Sequence, residues 1–219
     1  SRFLHHPEIP GPPYPSPVIC GVDEAGKGAV LGPLVVAAVL CGSDEEAGAI
    51  GARDSKALSP TRREEIYTRI LARFRIATRI LPPERIDARP RLSLNTCIAR
   101  LHAEVVSELG PDLAILDACD VDAGRYRRTV AGFLPAPCPL VSEHEADRTH
   151  PVVGAASIVA KVLRDRAIAD LAREYGEIGS GYPSDPATIA FLREYLKKRR
   201  TPPPFARRSW ATTRALVTE

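Results

Sequence analysis

The chain alternates continuous apolar runs with amphipathic stretches, punctuated by Gly and Pro. Val18 to Val22 and Val30 to Cys41 are small or β-branched without polar alternation, the pattern of strands covered on both faces. They predict a strand over 18–23, a glycine turn over 24–29 and a second strand over 30–41. Ser59-Pro60 opens a helix reaching about Phe74, with Ser59 as N-cap and Pro60 in the first turn. Arg75 to Leu81 reads as a strand closed by Pro82-Pro83, and Ser93 to Leu109 as a helix stopped by Gly110-Pro111. Leu113 to Leu116 is a short apolar strand that delivers Asp117 at its end. Val121 to Phe133 reads as partly helical, and Pro139 to Val141 as a short strand. Ala155 to Tyr175 is a long helix ended by Gly176. A glycine-proline loop (179–186), a helix (187–199), the Pro202 to Pro204 break and a short helix near Trp210 follow.

Strands alternating with helices imply an α/β fold built on a central mixed sheet flanked by helices. Three segments are expected: a Pro-rich irregular lead-in (1–17), an α/β core (18–176) and a small basic C-terminal helical lobe (177–219). No apolar run approaches the roughly 20 residues that span a bilayer, so no membrane partner is expected. The N-terminus lacks a basic segment followed by an apolar one, so it does not read as a signal peptide. Five widely spaced Cys with no Cys-x-x-Cys pair argue against a disulfide framework and a structural zinc site, and suit a reducing, cytoplasmic setting.

The formal charge of +3 is unevenly distributed. Residues 193–219 carry eight cations against Glu194 and Glu219, which leaves the rest of the chain net acidic. A basic tail beside an acidic core suits a polyanionic partner, and equally a solvated basic helix.

The densest chemistry is Asp23-Glu24-Ala25-Gly26-Lys27-Gly28, at the end of the first apolar run. Carboxylates on a buried strand are costly unless neutralised, and a divalent metal is a common neutraliser. Glycines let a ligand approach the backbone closely. Asp117 ends another strand, and Asp147 precedes the long helix. Alternation sends Asp23 and Glu24 to opposite sides, so the glycine break is expected to turn one of them into a shared site. Carboxylates without His or Cys favour Mg²⁺ or Mn²⁺ over zinc, and two such ions suit phosphodiester displacement. Spacing alone does not select these four from the 27 acids; Asp120, Asp122, Glu143, Glu145 and Asp165 are rivals, with Asp165 read as an i,i+4 partner of Lys161.

From Ile19 to Trp210 the chain resembles ribonuclease HII in its archaeal form. The segments that carry the likeness are GVDEAGKGAVLGPLVVAAV (21–39), DSKALSPTRREEIY (54–67), LDACDVDAGRY (116–126), EHEADRTHPVVGAASIVAKVLRDRAI (143–168), GSGYPSDPATIAFL (179–192) and RRSW (207–210). The resemblance implies a ribonuclease H-like fold with a C-terminal helical lobe. It also implies metal-dependent cleavage of the RNA strand of RNA/DNA hybrids, and incision 5′ of ribonucleotides embedded in duplex DNA, leaving 3′-hydroxyl and 5′-phosphate ends. Carried over by position, its metal-binding and catalytic acids fall on Asp23, Glu24, Asp117 and Asp147, holding two Mg²⁺ or Mn²⁺ ions. Its 2′-hydroxyl-reading motif falls on Gly26, Lys27 and Gly28, and its sugar-stacking tyrosine on Tyr182. Lys27 stands where arginine is usual, so the planar fork of a guanidinium is replaced by a point charge. Ser55, Lys56, Asn95, Lys161 and Arg164 are further candidates for phosphate contact. A self-sufficient monomer acting on hybrid and ribonucleotide-containing DNA duplexes is expected. A non-catalytic hybrid-binding subunit, a resolvase- or integrase-like nuclease, and a eukaryotic-type catalytic subunit needing partners are the alternatives.

Overall fold

The computed structural model describes residues 17–52, 58–89 and 92–218. Its sheet holds five strands, β1 (Ile19–Ala25), β2 (Leu34–Cys41), β3 (Arg75–Leu81), β4 (Leu113–Asp117) and β5 (Leu140–Glu143), in the order β3-β2-β1-β4-β5. β1, β2 and β3 form an antiparallel meander, whereas β4 and β5 run parallel to β1, so the sheet is mixed. The parallel pairs need crossovers, supplied by α4 (Leu94–Leu109) before β4 and α5 (Ala123–Phe133) before β5.

β2 is buried along its whole length because both faces are covered. Val35, Ala37 and Val39 pack with α2 (Pro60–Arg73) and α7 (Pro151–Tyr175), while Leu34, Val36 and Ala38 pack with α4 and α5. α7 lies flat on β1 because Gly21 has no side chain: a Cβ there would stand 2.3 Å from the Val152 backbone. A third cluster joins Ile178, Leu192 of α8 (Pro186–Arg199), Phe205 and Leu216 of α9 (Ala211–Thr218) to Val30, Leu31 and Ile168. The basic C-terminal segment thus shares apolar packing with the turn after β1.

The elements differ from expectation at several ends. β1 continues to Ala25, and β2 begins only at Leu34, because Gly26 (φ 88°) and Gly32 (φ 79°) bend the intervening residues out of the sheet. α7 starts at Pro151, four residues before the expected Ala155. Three short helices were not anticipated: α1 (Asp44–Ala49), α3 (Pro83–Asp87) and α6 (Ala146–Thr149). The expected lead-in and the Ser55-Lys56 loop fall outside the described residues, apart from Pro17.

Candidate active site

β1 and β4 pair in parallel with Val22 opposite Leu116, so Asp23 and Asp117 are the next residues at the carboxyl ends of neighbouring strands. Sites in such sheets form at that edge. A cleft of about 420 Å³ opens there, lined by Asp23, Glu24, Gly26, Lys27, Gly28, Asp117, Lys161 and Tyr182, together with Arg63 and Ser157. Eight of the expected site residues therefore meet in one cavity.

The two adjacent carboxylates are not turned to one side. Asp23 pairs with Ala37 and shares its face with α7, where Ser157 hydrogen-bonds the carboxylate; the Glu24 backbone N–H donates to Asp23 Oδ1 at 2.7 Å. Glu24 pairs with Val36 and faces α4, where His102 Nε2 stands 3.2 Å from its Oε2. They reach the same cleft because both sit at the strand end, on the rim of the sheet. Burial first, then the charges of Glu24 and Asp117, push the Asp23 carboxyl well above the usual range. Asp117 Oδ1 accepts the Ala146 N–H at 2.9 Å.

The glycine turn is held from beneath by two buried arginines. Arg207, fully buried, donates to the carbonyls of Gly26 (2.6 Å), Lys27 (3.0 Å) and Gly32 (3.2 Å). Arg164, 1% exposed, donates to the Ser180 carbonyl at 3.1 Å, and its guanidinium lies 4.5 Å from the Tyr182 ring centroid. A Cβ at Gly26 would meet Arg164 Nε at 2.5 Å, so only glycine fits there. Gly181 O accepts from Val30 N and Leu31 N at 2.8 and 3.0 Å, tying the Tyr182 loop to the same turn. With its carbonyls engaged inward, the turn leaves the edge around Lys27 and Gly28 to the cleft. Burial, then the neighbouring Arg164 charge, lowers Arg207 to about 10, so it stays a cation at neutral pH. The Lys27 ammonium donates to the Cys119 carbonyl in the β4–α5 loop.

Other expected residues are placed differently. Asp147, 2% exposed on α6, follows the residue whose N–H holds Asp117, but it does not line the cleft. Arg164 is interior rather than on a solvent face, because the turn and the Tyr182 loop close over it. Lys161 lines the cleft and pairs with Asp165 at 2.5 Å, the anticipated i,i+4 contact. Asn95, in the first turn of α4, does not line the cleft. Ser55 and Lys56 lie outside the described residues. The rival acids have other engagements: Asp120 with Arg125, Asp122 capping α5, Glu143 with His150 and Glu145 with Arg148. Arg63, Ser157, His102 and Arg207 were missed. Arg63, Ser157 and Arg207 lie in the segments 54–67, 143–168 and 207–210 that carry the family likeness, whereas His102 lies in none of them.

Hard oxygen donors crowded at one strand edge, with the Asp23 carboxyl raised partly by its acidic neighbours, fit a divalent cation by chemistry and charge. Among the described residues, no three His, Cys, Asp or Glu side chains already stand as a closed ligand set. Asp23, Glu24 and Asp117 are the acids that meet at the cleft and would hold such an ion.

Comparison with known proteins adds four findings. The family described as Ribonuclease HII matches residues 20–213. A curated relative from Methanoregula boonei, Ribonuclease HII, is 56% identical over 201 residues, covering 91% of this chain and 94% of that protein. The ribonuclease H2 of Pyrococcus horikoshii has a similar structure (TM-score 0.86, 37% identity, 92% of this chain and 97% of that one). So does the chain matched in the PCNA:RNase HII complex from Archaeoglobus fulgidus (TM-score 0.84, 39% identity, 90% and 96%).

Proposed function

The chain belongs to the ribonuclease HII family, nucleases that act on the RNA of RNA/DNA hybrids, and on that premise we propose that it incises 5′ of ribonucleotides embedded in duplex DNA. The observation that carries this reading is one cleft in which Asp23, Glu24 and Asp117 face the Gly26-Lys27-Gly28 turn and Tyr182.

In this reading the turn approaches the 2′-hydroxyl through backbone groups, the one substituent that separates RNA from DNA at a site. Its glycines permit that approach, and Arg207 holds its carbonyls away from the substrate. Tyr182 rests against the sugar beside the RNA-to-DNA junction, backed by the Arg164 guanidinium. Lys27, Lys161 and Arg63 offer cations to the flanking phosphates. Asp23, Glu24 and Asp117 would hold Mg²⁺ or Mn²⁺, with Asp147 the fourth acid beside Asp117. Ions held by these acids would supply an activated water and charge neutralisation at the leaving oxygen. The products are a 3′-hydroxyl and a 5′-phosphate.

The test is a labelled DNA duplex containing one ribonucleotide, incubated with Mg²⁺, Mn²⁺ or EDTA, for the wild type and Asp117→Asn. A cation-dependent cut 5′ of the ribonucleotide, lost in the variant, supports the reading. Cleavage of long hybrids only, with the single ribonucleotide left intact, would restrict the protein to hybrid hydrolysis. Binding without any cut overturns the catalytic reading.

A further inference from the structure

Behind Glu24 runs a buried polar chain that the proposed reaction does not use. His102 of α4 is fully buried within the apolar cluster between the sheet and α4–α5. Its Nε2 lies 3.2 Å from Glu24 Oε2, and its Nδ1 lies 3.0 Å from the hydroxyl of Tyr126 on α5, which is 1% exposed. The His102 and Tyr126 rings meet edge to face with centroids 5.6 Å apart. A polar ring in such a place needs both nitrogens satisfied. The Glu24 carboxylate only accepts, so Nε2 carries the hydrogen, and Nδ1 of a neutral ring accepts from the Tyr126 O–H. Burial first, then the neighbouring Cys119 sulfur, which also hydrogen-bonds it, and Glu24 hold the Tyr126 hydroxyl protonated far beyond its ordinary range. The chain of donors thus runs from Tyr126 to His102 to Glu24.

The need for such a chain follows from the strand. Asp23 and Glu24 leave β1 on opposite faces, Asp23 toward Ser157 and Glu24 toward α4. A glutamate has three side-chain torsions, and serving the same cation as Asp23 requires its carboxylate to stay at the sheet edge. His102 pins one oxygen to the α4 side and leaves the other for the cleft. We propose that His102, oriented by Tyr126, is a positioning residue that fixes Glu24 for binding of a hard divalent cation. The inference rests on the cation reading of this site given above.

The experiment measures Mn²⁺ binding by calorimetry on metal-free protein without nucleic acid. It compares the wild type with His102→Leu, His102→Gln and Tyr126→Phe, with folding checked by circular dichroism. Partners of this kind change metal affinity by about 10–100-fold when removed, and His102→Leu is expected in that range. Tyr126→Phe is expected to show a smaller loss. His102→Gln, whose amide can still donate to Glu24, should lie close to the wild type. Hybrid affinity in EDTA should be the same in all four, since the relay does not face the nucleic acid.

Unchanged Mn²⁺ affinity in His102→Leu and Tyr126→Phe overturns the proposal, as does an equal loss in His102→Gln. A wild type that binds no Mn²⁺ overturns it as well. If His102→Leu does not fold, Tyr126→Phe decides the matter, since it removes one hydroxyl and keeps the ring. A wild type that binds Mn²⁺ through His102 yet cuts nothing overturns the nuclease reading and leaves this inference standing. One that cuts with cation affinity indifferent to His102 does the reverse.

Discussion

Arg207 Nη2 donates to the Gly26 carbonyl at 2.6 Å, joining positions 181 residues apart. The same guanidinium reaches the Lys27 and Gly32 carbonyls and stacks 4.9 Å from the Trp210 ring centroid. The C-terminal segment is therefore part of the floor of the glycine turn.

Replacing Arg207 by Ala strands the buried Gly26 and Gly32 carbonyls, frees the Lys27 carbonyl and leaves a void. A loss of about 3 kcal/mol is expected, read as a lower urea midpoint, from charged hydrogen bonds and packing together. Arg207→Lys should fall between the two, because an ammonium cannot fork across Gly26, Lys27 and Gly32. Trp210, the single tryptophan, reports the same event by its fluorescence. A neutral outcome for Arg207→Ala would show that the turn holds itself.

Asp23→Asn should abolish cleavage and raise stability in EDTA by roughly 1 kcal/mol, the common trade between activity and stability. The sign follows from the raised carboxyl: burial and the charges of Glu24 and Asp117 penalise its ionised form in the folded state. That penalty is complete above the folded-state pKa and vanishes below the unfolded value of about 3.9. The advantage of Asp23→Asn is thus largest at high pH and shrinks on acidification. Thermal melts across pH check this, and an advantage that grows toward acid would refute it.

Lys27 tethers the glycine turn to the Cys119 carbonyl in the β4–α5 loop. Lys27→Arg should tighten binding of a ribonucleotide-containing duplex by roughly two- to fivefold, the scale of one exposed charged contact. The position of the cut should stay the same. A shifted cut site would show that this side chain, and not the backbone, reads the junction.

The exposed cations of α8, among them Lys197 and Arg199, are expected to add sequence-independent affinity. Lys197→Gln with Arg199→Gln should flatten the logarithmic salt dependence of duplex binding by up to about 1.8, at roughly 0.9 for each phosphate no longer neutralised. Truncation at residue 193 is the wrong test, since it removes the buried Arg207 and Leu216 along with the surface charge. An unchanged slope would place these cations away from the nucleic acid.

Much of this molecule was legible in its sequence because the signals are local. The unbroken apolar run of β2 announces a strand buried on both faces, and its residues do pack alternately against α7 and α4. Ser59 caps α2 as expected, and Ser93, expected as the first residue of its helix, caps α4 instead; each accepts a backbone N–H three residues on. Gly110 ends α4 in the left-handed conformation. α1, α3 and α6 escaped notice because helices of four to six residues complete too few turns to show a period. Asp23, Glu24 and the glycine turn stood out because charge on an apolar strand and paired glycines are unusual within a few residues.

What the tertiary structure alone decided is which distant groups meet. Arg164 was a candidate for phosphate contact and Arg207 one cation of the basic tail, yet both lie inside, where the Ser180 and Gly26 carbonyls accept from them. His102 carries no mark along the chain, and only the packing of α4 on the sheet sets it against Glu24. Local sequence determines periods, caps and turns through interactions a few residues long. The pairing of His102 with Glu24, and of Arg207 with Gly26, depends on how whole faces of the sheet and helices come together, and no period along the chain records that.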